Sequence, residues 1–358
     1  MKIALISASA NPAGSGFMEK RVSEIASTLS KKNEVHIYCN KFWNGKSELK
    51  KNNIFFHGIT DIESIEKGKK SFSGKLSFSV KLLRELKKEE FDLIDCQNFS
   101  FLSCLASKLS SKKSKLVFSW YDFLGAYWLV KYPFIGMLPM ILEDYLKNSA
   151  DKNIALSSTL KEKINKSELI PFGLNLKELS KVKKSKKKFQ VIYAGPLIKE
   201  KNLSFLIKSL DENVKALFIG EGPERDFLEK LSLDENKDVS FMNPLNEKET
   251  LSLIKASKLF VLASKRENLN FYAFQAMALG TPVVSLDYSM NDVSNYIRKT
   301  GLVVPAIKTT LKANINRLLQ NPFARAKIAR EQKQLMKQHE IGKSIEELET
   351  LYKKLTKI

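Results

Sequence analysis

The sequence predicts an α/β protein made of two Rossmann-like, doubly wound domains followed by a helical tail. Three observations lead there. Short continuous apolar runs alternate with longer amphipathic ones, the pattern of strands buried on both faces of a helix-covered parallel sheet. The rhythm breaks once, in a lysine-rich stretch at 177–188, and then restarts. At 358 residues the chain is long for one core and comfortable for two.

In the first domain, 1–176, KIALIS, EVHIYC, FDLIDC, KLVFSW and NIALS are the predicted strands. MEKRVSEIASTL, VKLLRELKK, FLSCLASKL and MLPMILEDYLK are the helices between them. KIALISA reads as a first strand, not a leader, because Asn11-Pro12 breaks the apolar run too early. Residues 177–188 have no apolar period, and six lysines fall between 181 and 189, so the stretch reads as an interdomain linker. In the second domain, 189–340, the strands are FQVIYAG, KALFIG, VSFM, KLFVLA, TPVVSL and LVVP. Its helices are NLSFLIKSL, ERDFLEKLSL, EKETLSLIKA, FYAFQAMAL and VSNYIRK, then a long helical tail from about Thr309 to Lys357. The tail ends in a closing segment, 341–358, with Ile345, Leu348, Leu351 and Leu355 at helical spacing. Two such domains facing each other would place a site in the cleft beyond the carboxyl ends of their strands.

Net charge is +21. Residues 1–190 hold 34 basic against 19 acidic side chains, and the remainder 26 against 20. The basic first half fits an anionic partner, a membrane surface or a phosphorylated ligand, and equally a surface merely solvated by lysine. Nucleic acid is disfavoured, since no basic helix with base-reading residues and no stacking-aromatic module is present. Cys39, Cys96 and Cys104 form no metal or disulfide spacing, and His36, His57 and His339 form no cluster in sequence. No uncharged run reaches a membrane span; the nearest, AYWLVKYPFIGMLPMIL, fits either a peripheral membrane face or a buried helix pair.

Three strand-to-helix junctions carry the candidate chemistry. YAGPLIKEKN (193–202) sets Lys201 where a helix begins, so an ammonium and free backbone N–H groups could share a phosphate. FIGEGPERDFL (218–228) offers Gly220, Glu221 and Gly222, either as a close approach to ligand or as a plain βα turn. ENLNFYAFQAMALGTPVV (267–284) puts Glu267 in a loop with Asn268, Leu269 and Asn270 before a helix whose second turn carries Gln275. That loop is either a sugar-phosphate grip or an Asn270 N-cap beside an exposed Glu267.

Together the junctions resemble the retaining glycosyltransferases of the GT-B fold, family four, group 1 type. The carrying residues are Gly195-Pro196-Leu197 with Lys201-Asn202, Gly220-Glu221-Gly222-Pro223, Glu267 to Gln275 with AMALGTPVV, and TGLVVP at 300–305. In the first domain Gly14-Ser15-Gly16 is similar to the family's acceptor-side glycine loop, and SWYDF places Tyr121 and Asp122 where many relatives carry a histidine before an aspartate. The resemblance implies a metal-independent hexosyltransferase with no cofactor beyond its nucleotide-diphosphate sugar. Lys201 and Glu267 would be catalytic. Gly195, Gly220, Glu221, Gly222, Asn268, Leu269, Asn270 and Gln275 would complete the donor site. Gly14, Ser15, Gly16, Tyr121 and Asp122 would face a lipid-linked or glycan acceptor, and the closing helix would cross back onto the first domain. Such an enzyme would serve envelope glycan synthesis in the cytoplasm, peripheral on the inner membrane face. Pro196 stands for the usual arginine, Gln275 for the second glutamate, Tyr121 for the histidine and Phe172 for the asparagine of an I-P-N-G turn. These departures motivate the alternative, a catalytically impaired GT-B scaffold or regulatory partner subunit.

Overall fold

The computed structural model describes residues 1–10, 12, 17–61, 72–98, 100–111, 113–300 and 302–357. It divides into two compact units, Met1–Gly173 with Ile341–Ile358, and Leu174–Glu340.

The strands of unit 1 are β1 Lys2–Ile6, β2 Glu34–Lys41, β3 Glu48–Lys51, β4 Ile54–Asp61, β5 Leu93–Asn98, β6 Lys115–Trp120, β7 Lys152–Ala155 and β8 Ser167–Leu169. They form one eight-stranded sheet in the order β3-β4-β2-β1-β5-β6-β7-β8. Helices α1 Phe17–Leu29, α2 Phe72–Leu86, α3 Phe101–Ser110, α4 Tyr127–Lys131, α5 Met137–Lys147 and α6 Ser158–Lys163 connect them. Ala4, Ile6, Ile94, Cys96, Phe118, Trp120 and Leu82 lie in one dry cluster, as continuous apolar strands require. The sheet is not wholly parallel: β3 runs antiparallel to β4. Its sequence, ELKK, is an exposed edge without apolar pattern, and charged residues on an edge discourage further pairing.

Unit 2 opens with helix α7 Leu176–Ser180, capped by Asn175 and anchored by buried Leu179. Residues 177–188, expected as an interdomain linker, therefore lie inside this unit and begin as helix. The main strands are β9 Val191–Ala194, β10 Ala216–Ile219, β11 Val239–Met242, β12 Leu259–Leu262, β14 Val283–Leu286 and β16 Val303–Val304. They make a six-stranded parallel sheet in the order β11-β10-β9-β12-β14-β16. A separate two-residue ladder pairs β13 Arg266–Glu267 with β15 Met290–Asn291. The helices are α8 Leu203–Lys208, α9 Arg225–Asp234, α10 Glu247–Ala256, α11 Phe271–Leu279, α12 Asp292–Ile297, α13 Lys308–Gln320 and α14 Pro322–Met336. The expected continuous tail is broken. Asn321 caps α14 with Pro322 in its first turn, and a 3-10 turn at Lys337–His339 ends it. Proline is tolerated in a first helical turn and not in an interior, which forces the restart.

The last helix, α15 Ile341–Thr356, packs on α1 in unit 1 and buries Ile345, Leu348, Leu351 and Tyr352. Among the described residues no helix is long and apolar enough to cross a membrane. Of the two alternatives for 126–142, the buried helix pair fails: Val130, Phe134, Ile135, Met137 and Leu138 are exposed, Phe134 at 99%.

Candidate active site

Strand order points to a candidate site in unit 2. The chain leaves β9 toward β10 on one side, while β12 lies on the other, so the order reverses between β9 and β12. Loops leaving the carboxyl ends of two such strands diverge and open a crevice. The β9 loop carries Lys201, at the end of a 3-10 turn, Lys199–Lys201. The β12 loop carries Glu267, on β13.

The two side chains meet directly. Lys201 Nζ donates to Glu267 Oε1 at 2.8 Å and to Oε2 at 2.7 Å. Both are nearly withdrawn from water, at 13% and 7% side-chain exposure. Ser264 Oγ and Asn270 Nδ2 also donate to Oε2, at 2.9 and 3.3 Å. Asn270 turns its Oδ1 to the amide of Ala273 and so caps α11 while it holds the carboxylate. Asn291, opposite Glu267 in the small ladder, donates to the Ser264 carbonyl at 3.1 Å and ties that loop down. The amide of Lys265 donates to Glu200 O at 3.0 Å, joining the two loops. Of the two sequence alternatives for Glu267, the exposed one is therefore set aside, although Asn270 is indeed the N-cap. Asn268 is buried, and Leu269 beside it is partly exposed.

The glycine junctions interlock. Leu197 donates its amide to Glu221 O at 2.8 Å, and Gly195 to Ile219 O at 3.0 Å. A Cβ on Gly220 would overlap the carbonyl of Gly195, and one on Gly222 the carbonyl of Leu197, with both residues at positive φ. Close approach of two backbones is thus one reason for glycine here. Glu221 itself is exposed. Gln275 is buried on α11 and gives its amide to Glu247 Oε1 at 2.8 Å, so that polar group is already engaged.

In unit 1, Gly14, Ser15 and Gly16 lie outside the described residues. Tyr121, expected on an acceptor surface, is buried instead. Its hydroxyl accepts from Arg21 at 2.7 Å and donates to Gln97 at 2.6 Å. Arg21 also donates to Phe172 O at 2.7 Å, and Gln97 passes its amide to Asp95 at 2.7 Å. Ser119 and Tyr352 donate to the same carboxylate. Burial pushes the Tyr121 hydroxyl up to about 12 and, against these hydrogen bonds, the Asp95 carboxyl up to about 6. A phenol surrounded by a guanidinium and an amide gains more from that network than from water, which is why it turns inward. Asp122 remains partly exposed. Sequence reasoning missed Arg21, Asp95 and Gln97. For Asp95 and Gln97 the one available signal was a polar residue at a strand position whose neighbours are apolar; Arg21, on α1, gave none. It also missed Glu143, buried on α5, which accepts from the amide of Gly125 at 2.7 Å and steadies the loop after Tyr121.

Comparison with known proteins follows this division. The family model "Glycosyltransferase Family 4" matches residues 18–174, and "Glycosyl transferases group 1" matches 176–335. A putative teichuronic acid biosynthesis glycosyltransferase of Bacillus subtilis is 26% identical over 58% of this chain and 57% of its own length. An alpha-D-kanosaminyltransferase of Streptomyces kanamyceticus is 29% identical over 39% of this chain and 38% of its own. The alignments thus span little more than half of these relatives, or less. In structure, sucrose-phosphate synthase of Thermosynechococcus elongatus superposes with a TM-score of 0.79 at 19% identity, covering 99% of each chain. Anabaena HepE, in complex with UDP and glucose, gives 0.73 at 18% identity, covering 98% of this chain and 99% of its own. At such identities these likenesses establish the two-domain α/β fold.

Proposed function

The chain belongs to the group 1, family four glycosyltransferases, and on that premise we propose that it moves a hexose from a nucleotide-diphosphate sugar to an acceptor hydroxyl, with retention. The observation that carries this is the Lys201–Glu267 pair, nearly buried where the strand order reverses. Core packing has no use for a charge pair there, since apolar side chains of similar volume would serve stability as well.

The pair suits the chemistry. As a glycosidic bond to a diphosphate breaks, charge grows on the leaving oxygens, and a positioned ammonium lowers that barrier. Lys201 supplies it without a metal at the diphosphate. Incoming phosphate takes over the ammonium, and Glu267 is left to accept hydrogen bonds from sugar hydroxyls while Ser264 and Asn270 hold it in place. Backbone N–H groups from Asn268 to Asn270, at the start of α11, add to phosphate binding. The nucleophile is the acceptor hydroxyl itself.

The acceptor is proposed to be lipid-linked or a glycan, met at an anionic membrane surface in the cytoplasm. The exposed apolar side chains of 130–138 support a peripheral contact of that kind. A second reading, a silent scaffold or partner subunit, is favoured by the occupied state of Gln275 and the burial of Tyr121. One experiment separates them: a thermal-shift screen with UDP-, GDP- and ADP-sugars, followed by a transfer and donor-hydrolysis assay with each binder. Turnover abolished by Lys201→Ala supports the enzyme. Binding without turnover supports the scaffold, and no binding by any donor removes both the donor site and the role of the pair.

A further inference from the structure

Two of the three histidines, far apart in sequence, meet in unit 1. His36 lies on β2 and His57 on the neighbouring β4, and their rings lie nearly parallel and edge to edge, with centroids 5.1 Å apart at 7°. Nδ1 of His36 faces Nε2 of His57 at 2.9 Å. Glu89, in the chain just beyond α2, brings Oε2 to 3.9 Å from the same Nδ1. One ligand atom from each of the three residues lies within 4.8 Å of the others.

The outward nitrogens are the second observation. Nε2 of His36 is 2.8 Å from Glu34 Oε1, and Nδ1 of His57 is 3.8 Å from Glu48 Oε1. Each ring thus turns one nitrogen inward and the other toward a carboxylate, the arrangement that orients metal-binding imidazoles. With Nε2–H of His36 on Glu34, the 2.9 Å contact takes its hydrogen from His57, and Nδ1 of His57 is left as an acceptor 3.8 Å from exposed Glu48, beyond hydrogen-bond distance. A cation between the inward nitrogens would instead take both lone pairs and leave both N–H groups pointing at acids.

We propose that His36, His57 and Glu89 hold a divalent transition metal of the zinc class. Imidazole and carboxylate donors suit zinc, cobalt and nickel, whereas magnesium and calcium take oxygen shells. To bind one metal the two rings must turn and the inward nitrogens part to roughly 3.3 Å, the span of a tetrahedral angle at bonds of about 2.0 Å. Lys2 grips Glu89 at 2.7 Å and Glu34 at 3.2 Å, so it positions both acids. Its ammonium is outweighed by Glu34, Glu48 and Glu89 around the two rings. The site would clip β2 and β4 to the chain beyond α2, a structural role separate from the chemistry at Lys201.

The test uses tag-free full-length protein stripped with EDTA. Zinc should bind at about one equivalent per chain and raise the thermal midpoint, and cobalt should give the intense visible bands of a tetrahedral site. His57→Ala should abolish both responses. Glu89→Gln, at a partly exposed position that does not threaten folding, should weaken zinc binding roughly tenfold or more. Glu34→Gln, acting through His36, should weaken it roughly tenfold to a hundredfold. The proposal is overturned if neither metal changes the midpoint or spectrum of folded protein, or if the response survives Glu89→Gln and His57→Ala unchanged. Stability that depends on pH near the histidine range yet ignores both metals would show a trapped proton in the metal's place, and equally overturns it.

Discussion

Lys201 and Glu267 cancel each other's charge at 2.7 Å, and each is the condition for burying the other. Lys201→Ala leaves a nearly buried carboxylate that Ser264 and Asn270 must hold without a counter-charge, which should cost about 3 kcal/mol of stability in denaturant unfolding. The same substitution should lower kcat/KM by roughly a hundredfold to a thousandfold, the usual loss for one aimed charge at a developing anion. The double variant Lys201→Met with Glu267→Gln separates the effects: stability returns toward the parent, activity does not. If activity returns as well, the pair is structural. A second residue-scale expectation concerns pH. Burial raises the Asp95 carboxyl to about 6, above its unfolded value. The folded state therefore holds a proton that the unfolded state has released, and stability falls as pH rises from about 4 through 6, by up to about 3 kcal/mol. His339 runs the other way. Burial lowers it to about 4, so its contribution is present above the unfolded histidine value and lost as pH falls. The opposed slopes make the wild-type curve uninformative alone. The difference between wild type and Asp95→Asn isolates the first; an unchanged slope in that variant would refute it.

At the scale of elements, the stretch 127–147 makes the sharpest prediction. Phe134 and Ile135 are 99% and 70% exposed, so the double change Phe134→Ser with Ile135→Ser removes no buried contact and should shift stability by less than about 0.5 kcal/mol. If the face docks on lipid, the same variant should lose co-sedimentation with anionic vesicles, while soluble-acceptor turnover is retained. Equal binding by both proteins would remove the membrane face. This segment also shows how far the sequence could be read. Its apolar run is plain, but whether it lies inside or outside depends on what covers it, and that is tertiary information. The buried strands are legible because a short apolar run without a helical period fits a strand covered on both faces and little else. The ELKK edge is not, nor is the two-residue ladder holding Glu267, since neither has a hydrophobic period. The break at Asn321-Pro322 is readable from cap and proline chemistry, yet the long amphipathic pattern around it masks it. Lys201 and Glu267 stand out because they recur at strand-to-helix junctions. Arg21, Gln97, Asp95 and Tyr352 do not, because partners separated by up to 257 residues leave no local signature.

At the scale of the whole chain, the final helix decides whether unit 1 can exist without its distant end. α15 is separated in sequence from the rest of unit 1 by all of Leu174–Glu340. It nevertheless buries Ile345, Leu348, Leu351 and Tyr352 against that unit, and Tyr352 closes the hydrogen bonds around Asp95. Four such side chains are worth roughly 1.5–3 kcal/mol each when fully buried, an upper bound because unfolded chains already hide some surface. That sum is comparable to the entire stability of an ordinary domain, about 5–15 kcal/mol. A chain ending at Glu340 should therefore keep a cooperatively folded unit 2 but present unit 1 as a weakened or unfolded species. Limited proteolysis read by mass spectrometry should cut first within 1–173 and spare 174–340. Supplying α15 as a separate peptide should restore protection in a concentration-dependent way, because a ligand that binds only the folded state shifts the balance toward it. Tyr352→Phe in the full chain is the milder version: it withdraws one donor from a fully buried carboxylate and should cost about 1–3 kcal/mol. If the truncated chain melts like the parent and resists protease throughout, unit 1 does not depend on the returning helix, and the Asp95 network is a consequence of folding with no part in holding it.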